Sequence, residues 1–429
     1  MEKFDVIVVG AGLSGLAAAS VCIGGGLNTL VLERGIFPGA KNVSGGRLYL
    51  KPVASLLPEF SKGDLPIERP VTHERLTLMD GSDSLTLSLQ TPEFRSSMPQ
   101  SVTVLRAVLD RWFAEHLGEC GGIVVPKIRV DGVIREKGRI CGIRAAGDEI
   151  GANVVIAADG VNALLSERAG LRSSHDPAHF AVAAKEIIEL SSGAIEERFQ
   201  LNNGEGAAQL FAGSVTRGMP GGGFLYTNRE TLSLGVVVGV QAAGSSKVPV
   251  HELVEEFKDH PAVAPLVRGG NVVEYSAHLI PEAGPYHGTS LSTDGFLTVG
   301  DAAGFCLNLG VTVRGMDYAL ASGVLAGQAV LKAHETGDFS REILSTYDRS
   351  VRESFIGKDF KTYRKVPRFL GNPRLYSLYP QALTGAFKDL YRVTENPKGK
   401  IVRGFRNSLF SRISLGQALR DVIRGYQAL

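Results

Sequence analysis

Phe4-Asp5-Val6-Ile7-Val8-Val9-Gly10-Ala11-Gly12-Leu13-Ser14-Gly15 opens the chain. Val6 to Val9 read as a buried strand, the glycines as a tight turn and the small residues after Gly15 as a helix. Gly10 permits the turn, Gly12 lets backbone approach an anion, and Gly15 lets helix and strand pack closely, so N–H groups and the positive helix end face a pyrophosphate. A second strand, Leu27 to Leu32, ends in Glu33, an acid placed to take the hydroxyls of an adenosine ribose.

Two later strands share this design. ANVVIAADG, residues 152–160, ends in Asp159-Gly160, and FLTVGDAAG, residues 296–304, runs into Gly300-Asp301 and the start of a small-residue helix. An Asp at such a junction accepts hydrogen bonds from a polyol while neighbouring N–H groups take phosphate, which suits the ribityl arm of FAD better than a nicotinamide ribose. No second GxGxxG is present, so no Rossmann-type NAD(P)H site is expected.

In this order the motifs resemble the FAD-binding fold of the aromatic-hydroxylase and geranylgeranyl-reductase superfamily. Further segments narrow the resemblance: Lys41-Asn42-Val43-Ser44-Gly45-Gly46-Arg47, the stretch Gly221 to Asn228, the stretch Glu274 to Glu282, and Gly300 to Gly310. As a set, from Met1 to about Phe360, the chain resembles the FixC-like branch of the electron-transfer-flavoprotein:quinone oxidoreductases.

That resemblance implies an α/β Rossmann-like FAD-binding domain of the glutathione-reductase type, discontinuous over 1–58, 99–177 and 283–335. It is interleaved with a mainly antiparallel β-sheet domain over 59–98 and 178–282 that faces quinone, and a helical basic region follows over 336–429. The expected flavin contacts are Gly10, Gly12, Leu13, Ser14, Gly15, Glu33, Arg34, Lys41, Asn42, Val43, Ser44, Gly45, Gly46, Arg106, Asp159, Gly160, Gly300, Asp301, Gly310, Val311 and Thr312. Lys41 is also a candidate to stabilise charge on the reduced ring, or else a surface lysine. Arg106 resembles the family arginine that reaches flavin phosphate; a surface arginine is the alternative. Tyr226, Tyr275 and His278 are candidate donors to a quinone oxygen, or satisfied core residues. Gly221 to Phe224 allows close backbone approach beside the quinone, or forms a flexible hairpin.

The implied activity is transfer of electrons from the alpha and beta subunits of an electron-transfer flavoprotein to a membrane quinone. A flavin-dependent prenyl-lipid reductase and a non-catalytic redox relay are the alternatives. The four cysteines, Cys22, Cys120, Cys141 and Cys306, are too dispersed for an iron–sulfur cluster, and no metal site is expected. The single-chain relatives carry a cluster domain, so a separate small ferredoxin-like protein is the expected relay.

Composition bounds these readings. The 429 residues contain 52 glycines in turns rather than low-complexity tracts, and no run of about 18 or more apolar residues. Met-Glu-Lys-Phe-Asp enters a strand at once, so no signal peptide is expected and the location is read as cytoplasmic, peripheral to the inner face of the cell membrane. The net charge of +2 hides a basic tail: residues 358–429 hold fifteen Lys/Arg against four Asp/Glu. Such a tail attracts an acidic ferredoxin or a lipid surface, or is a solvated basic face; nucleic acid is disfavoured because no binding motif accompanies it. Within it Leu415, Ala418, Leu419, Val422, Ile423 and Tyr426 draw an amphipathic stripe, with Gln417, Arg420, Asp421 and Arg424 opposite.

Local patterns complete the reading. Leu105, Val108, Leu109, Trp112, Phe113, His116 and Leu117 predict a helix ending near Gly118. Residues 128–156 predict a β-meander punctuated by Asp131-Gly132, Lys137-Gly138 and Gly147-Asp148. Residues 374–392 form a second helical candidate, which Pro380 is expected to interrupt.

Overall fold

The computed structural model describes residues 3–41, 46–61, 64–172, 176–282 and 290–429. One sheet runs in the order Ser292–Thr293, Phe296–Thr298, Asp148–Ala157, Lys3–Val9, Thr29–Leu32, Ile123–Val125. Its inner pairings are parallel, and Lys3–Val9 lies between Asp148–Ala157 and Thr29–Leu32. Alternate residues of this central strand feed two cores. Val6 and Val8 pack with the helices Leu13–Gly24 and Met316–Thr336, while Ile7 and Val9 pack with the meander.

The meander is three antiparallel strands, Val130–Glu136, Arg139–Ala145 and Asp148–Ala157. Lys137 (φ 49°) with Gly138 (φ 88°), and Ala146 (φ 52°) with Gly147 (φ 93°), turn the two hairpins, since paired positive φ matches the strand twist. Asp131-Gly132 does not make a turn; it lies within the first strand, where the register shifts between Val130 and Gly132. The second turn therefore sits one residue earlier than Gly147-Asp148.

The second sheet runs Asn271–Pro281, Phe180–Glu189, Thr231–Gly239, Gly221–Thr227, Gly206–Gly213, Val71–Asp80, Asp83–Gln90. Its outer face buries Phe211, Leu225, Leu234 and Val236 beneath Phe199 and Phe257 of the helices Ser192–Phe199 and Val250–Asp259. Gly221, Gly222 and Gly223 are not a flexible hairpin. They lie inside a central strand, and a Cβ on Gly223 would fall 2.9 Å from both the Phe257 ring and Val215.

Helix Arg106–Glu119 forms as its stripe predicts, burying Leu109, Phe113 and Leu117, although Val108 is exposed. The C-terminal region folds into short helices ending with Leu378–Tyr391, Ile401–Arg412 and Leu415–Ala428. Pro380 occupies the first turn of Leu378–Tyr391, where its missing N–H has no partner to lose, so the helix is not broken there. Among the described residues no helix is long and apolar enough to cross a membrane.

Helices Leu13–Gly24 and Met316–Thr336 approach closely because of glycine. A Cβ on Gly323 would lie 2.2 Å from the Ser14 carbonyl oxygen, and one on Gly327 would lie 2.7 Å from the Val21 Cβ. Gly323→Val is expected to lower thermal stability by about 1–3 kcal/mol through overpacking. Gly404→Ala, with nothing within 4 Å, serves as the control. Equal melting temperatures for the two variants would contradict this packing argument.

Candidate functional site

The carboxyl ends of the parallel strands gather the motifs at the switch point of the first sheet, where open α/β sheets place their ligands. Gly10 takes φ +106°, and a Cβ there would meet the Ala158 carbonyl oxygen at 2.2 Å. At Gly15 a Cβ would lie 2.0 Å from the Gly10 oxygen. Gly12 caps helix Leu13–Gly24 without a side-chain acceptor, so the first helical amides and the positive helix end point at the turn. Leu13 and Ser14 are buried in it.

Glu33 is buried and braces this turn: Ala11 N donates to its Oε2 at 3.0 Å and Gly35 N to its Oε1 at 2.6 Å. Each oxygen keeps a second lone pair, which is what a ribose hydroxyl would use. Arg34 beside it is exposed, as is Lys41. Asn42, Val43, Ser44 and Gly45 lie outside the described residues. Gly46 is buried at φ +76° and accepts from Val104 N at 2.7 Å.

Two carboxylates come from segments that lie beside the turn. Leu165 N donates to Asp159 Oδ2 at 3.0 Å, whereas Asp159 Oδ1 is buried with no hydrogen-bond partner. Burial pushes its carboxyl up, against opposing pulls that include Arg172 and Arg34. Gly160 follows at φ +73°, and Gly300 at φ +61° would press a Cβ to 2.5 Å from Ser14 Oγ. Burial also pushes the Asp301 carboxyl up, with Arg106 pulling it back. Arg106 is not a surface arginine: its side chain is 10% exposed and its Nε and Nη2 donate to Asp110 at 2.8 Å each.

Gly310, Val311 and Thr312 occupy the tip of a hairpin. Gly310 N donates to Asn308 Oδ1 at 2.8 Å, Leu309 N to the Thr312 oxygen at 2.9 Å, and Val311 is exposed. The hairpin is anchored by Arg314, which pairs with Asp317 and, at 2.6 Å, with Asp359, its guanidinium lying over the Tyr318 ring.

The second sheet divides the quinone-facing candidates. Directly paired residues share a face, so His278 opposite Ala183 and Tyr226 opposite Ser233 lie on the inner face. Tyr275 pairs with Glu186, whose carboxylate meets Lys258 of an outer helix at 2.9 Å; Tyr275 therefore points outward and is exposed. An odd separation of three along a strand forces that split. Tyr226 is buried and stacks on Phe224 at 5.2 Å; burial pushes its hydroxyl well above the usual phenol range. His278 is pulled down by burial and then by Arg34 and Arg106. Lys185, on the inner face and 5% exposed, was not singled out in the sequence, where an inward lysine reads like any alternating polar residue.

The comparisons with known proteins now bear on this geometry. Residues 366–429 match the ETF-QO/FixC family C-terminal domain, 180–280 a model described as ETF-QO, ubiquinone-binding, and 5–50 an FAD binding domain. The chain is 46% identical over 392 residues to Protein FixC of Escherichia coli O157:H7, covering 91% of each. The chain belongs to the FixC-like family of electron-transfer-flavoprotein:quinone oxidoreductases.

A second member, the probable electron transfer flavoprotein-quinone oxidoreductase YdiS of Escherichia coli K12, is 42% identical over 428 residues, spanning 100% of this chain and 99% of that one. Among solved structures, a geranylgeranyl bacteriochlorophyll reductase-like protein from Thermoplasma acidophilum superposes with a TM-score of 0.72 at 19% identity, covering 99% and 100% of the two chains. A myxobacterial FAD-dependent halogenase gives 0.61 at 20% identity, covering 100% and 97%. Those two likenesses concern the fold. This FixC-like chain is an FAD-dependent oxidoreductase. Its bare helix start and the orphaned Asp159 Oδ1 fit the cofactor, because each lacks the partner that a pyrophosphate or a polyol hydroxyl brings.

A raised carboxyl costs the folded apoprotein stability at neutral pH, a cost relieved as pH falls through the folded-state value. Asp301→Asn is therefore expected to raise the melting temperature of the apoprotein at pH 7. The same change should weaken FAD binding about tenfold or more, since a hydrogen bond to a charged acceptor is worth roughly 1.5–3 kcal/mol. Fluorescence titration with FAD and thermal melts of the apoprotein read both effects, and unaltered FAD affinity would exclude the contact.

Proposed function

We propose that this chain passes electrons from the alpha and beta subunits of an electron-transfer flavoprotein to a membrane quinone, with a separate ferredoxin-like iron–sulfur protein in the relay. The observation that carries the quinone reading is the coincidence of the ubiquinone-binding match, 180–280, with the strands whose inner face presents Lys185, Tyr226 and His278. Bound FAD supplies the redox chemistry, exchanging electrons singly or in pairs. The protein's share is placement: the helix start seats the pyrophosphate, Asp159 and Asp301 hold hydroxyls, and the second sheet closes over the site and keeps water out. Reduction of the quinone to quinol takes up two electrons and two protons. Tyr226 and His278 are the hydrogen-bond donors proposed for its oxygens. Tyr275, on the outer face, is withdrawn from that role.

The purified native complex tests this reading. It is expected to form quinol from reduced electron-transfer flavoprotein and to contain iron and sulfide that the isolated chain lacks. An active complex free of iron removes the ferredoxin, and a complete complex that makes no quinol removes the quinone.

The C-terminal region supports a peripheral membrane location. In helix Leu415–Ala428, Leu415, Leu419, Val422, Ile423 and Tyr426 are all exposed, from 47% to 88%. The side that turns inward carries Asp421 and Ala428 instead: Asp421 is 3% exposed and accepts from Arg374 at 2.7 and 2.6 Å and from Tyr379 at 2.8 Å. Arg374 holds the Asp421 carboxyl at about 2, so this latch is charged at neutral pH. An uncovered apolar stripe flanked by Arg420 and Arg424 suits an anionic lipid surface. The protein is expected to sediment with vesicles containing anionic lipid, less so in high salt, and Leu419→Glu with Val422→Glu should abolish sedimentation. Equal binding by the double variant would exclude this helix as the docking element.

A further inference from the structure

Lys185 stands mid-strand on the inner face of the second sheet, between Gly235 and Ser276 in register. Its Nζ is 3.9 Å from Glu274 Oε1, beyond hydrogen-bond distance, and the Glu274 side chain is 48% exposed. The same protein shows what a satisfied lysine looks like on the other face: Lys258 holds Glu186 and Glu255 at 2.9 Å each. A cationic group faces Lys185 across the site. Arg106 opposes its charge, and His278 on the same sheet face is itself opposed by Arg106 and Arg34. Arg106 has Asp110 as its counter-ion at 2.8 Å, while among the described residues the carboxylate paired with Lys185 is that of Glu274 at 3.9 Å.

A buried ammonium without a close anion costs several kcal/mol unless something anionic arrives to meet it. The diphosphate of FAD already has its seat on the first sheet, at Gly10 to Gly15. Lys185 belongs to the opposing sheet, whose Ser233 lies against Gly46, 3.6 Å from where a Cβ would stand there. We infer that Lys185 is an electrostatic residue for the bound flavin, favouring the negative charge that the flavin gains on reduction and thereby setting its reduction potential. This rests on the binding of FAD and not on quinone as acceptor.

The test uses the full chain loaded with FAD, without quinone or partner proteins. Spectroelectrochemistry gives the flavin potential, and fluorescence titration gives the affinity for oxidised FAD. Lys185→Met is expected to shift the potential to more negative values with affinity unchanged, and Lys185→Arg to keep the original potential. Glu274→Gln, which removes a nearby carboxylate from an exposed position, should shift the potential the other way and stands as the measurement if Lys185→Met does not fold. An unshifted potential in FAD-loaded Lys185→Met overturns the inference. So does a loss of FAD affinity at constant potential, which would assign Lys185 to the diphosphate. Failure of quinol formation leaves both measurements intact, so the two readings fail separately.

Discussion

The contact between helices Leu13–Gly24 and Met316–Thr336 is the constraint on which the site depends. Gly323 and Gly327 have no side chains, so one helix backbone lies against Ser14, Ala18 and Val21 of the other. That approach brings Gly300 beside Ser14 Oγ and fixes Asp301 relative to the phosphate turn, although the two segments are separated by most of the sequence. Ser322, one residue before Gly323, accepts from Gly300 N at 3.1 Å and locks the junction. Widening the helix pair would separate the glycine turn, proposed as the pyrophosphate seat, from Asp301, proposed as the polyol acceptor. Packing density here therefore bears directly on cofactor geometry.

The second sheet contributes asymmetry of charge. Its outer face is an apolar core with paired ions, as Lys258 and Glu186 illustrate. On its inner face Lys185 lies 3.9 Å from the exposed Glu274 carboxylate, while Arg47, reaching from the strand Arg47–Tyr49, pairs with Glu74 and donates to Ser101 at 3.0 Å. The short strand Arg47–Tyr49, which pairs with Ser101–Thr103, is thus tied to the second sheet by an ion pair whose guanidinium is buried. Lys185 has a longer and more exposed counter-ion than Arg47 has, and a cation so placed gives a stronger field inside the protein than it would in water.

How far the sequence discloses this depends on the range of the interaction. The glycine turn, Glu33, the meander and the helix from Arg106 follow from local pattern, because their determinants lie within a few residues. Face assignment in the second sheet is different. Tyr275 and His278 look equivalent when read along the chain, yet period 2 sends them to opposite faces, and only the pairing with Glu186 and Ala183 says which is inner. The setting of Lys185 is hidden in the sequence for the same reason, since it is a property of three strands and a distant helix. Asp131-Gly132 misleads because the dipeptide favours turns but also accommodates the bulge found there.

The tail shows the limit of amphipathic pattern in another way. A stripe at helical spacing tells which residues share a face, but not whether that face meets the protein or its surroundings. Two further features settle the orientation of Leu415–Ala428. Asp421 has a bidentate partner in Arg374 and a second donor in Tyr379, all within the C-terminal region, so the polar side has somewhere specific to go. Gly425 allows close approach on that side, its added Cβ falling 3.1 Å from the Phe369 ring. Charge-assisted hydrogen bonds to Asp421 and the small residue Gly425 fix which side of the helix lies against the protein, and the apolar stripe is turned out as a consequence. The helix is held by its polar contacts, which frees its hydrophobic surface for something other than folding.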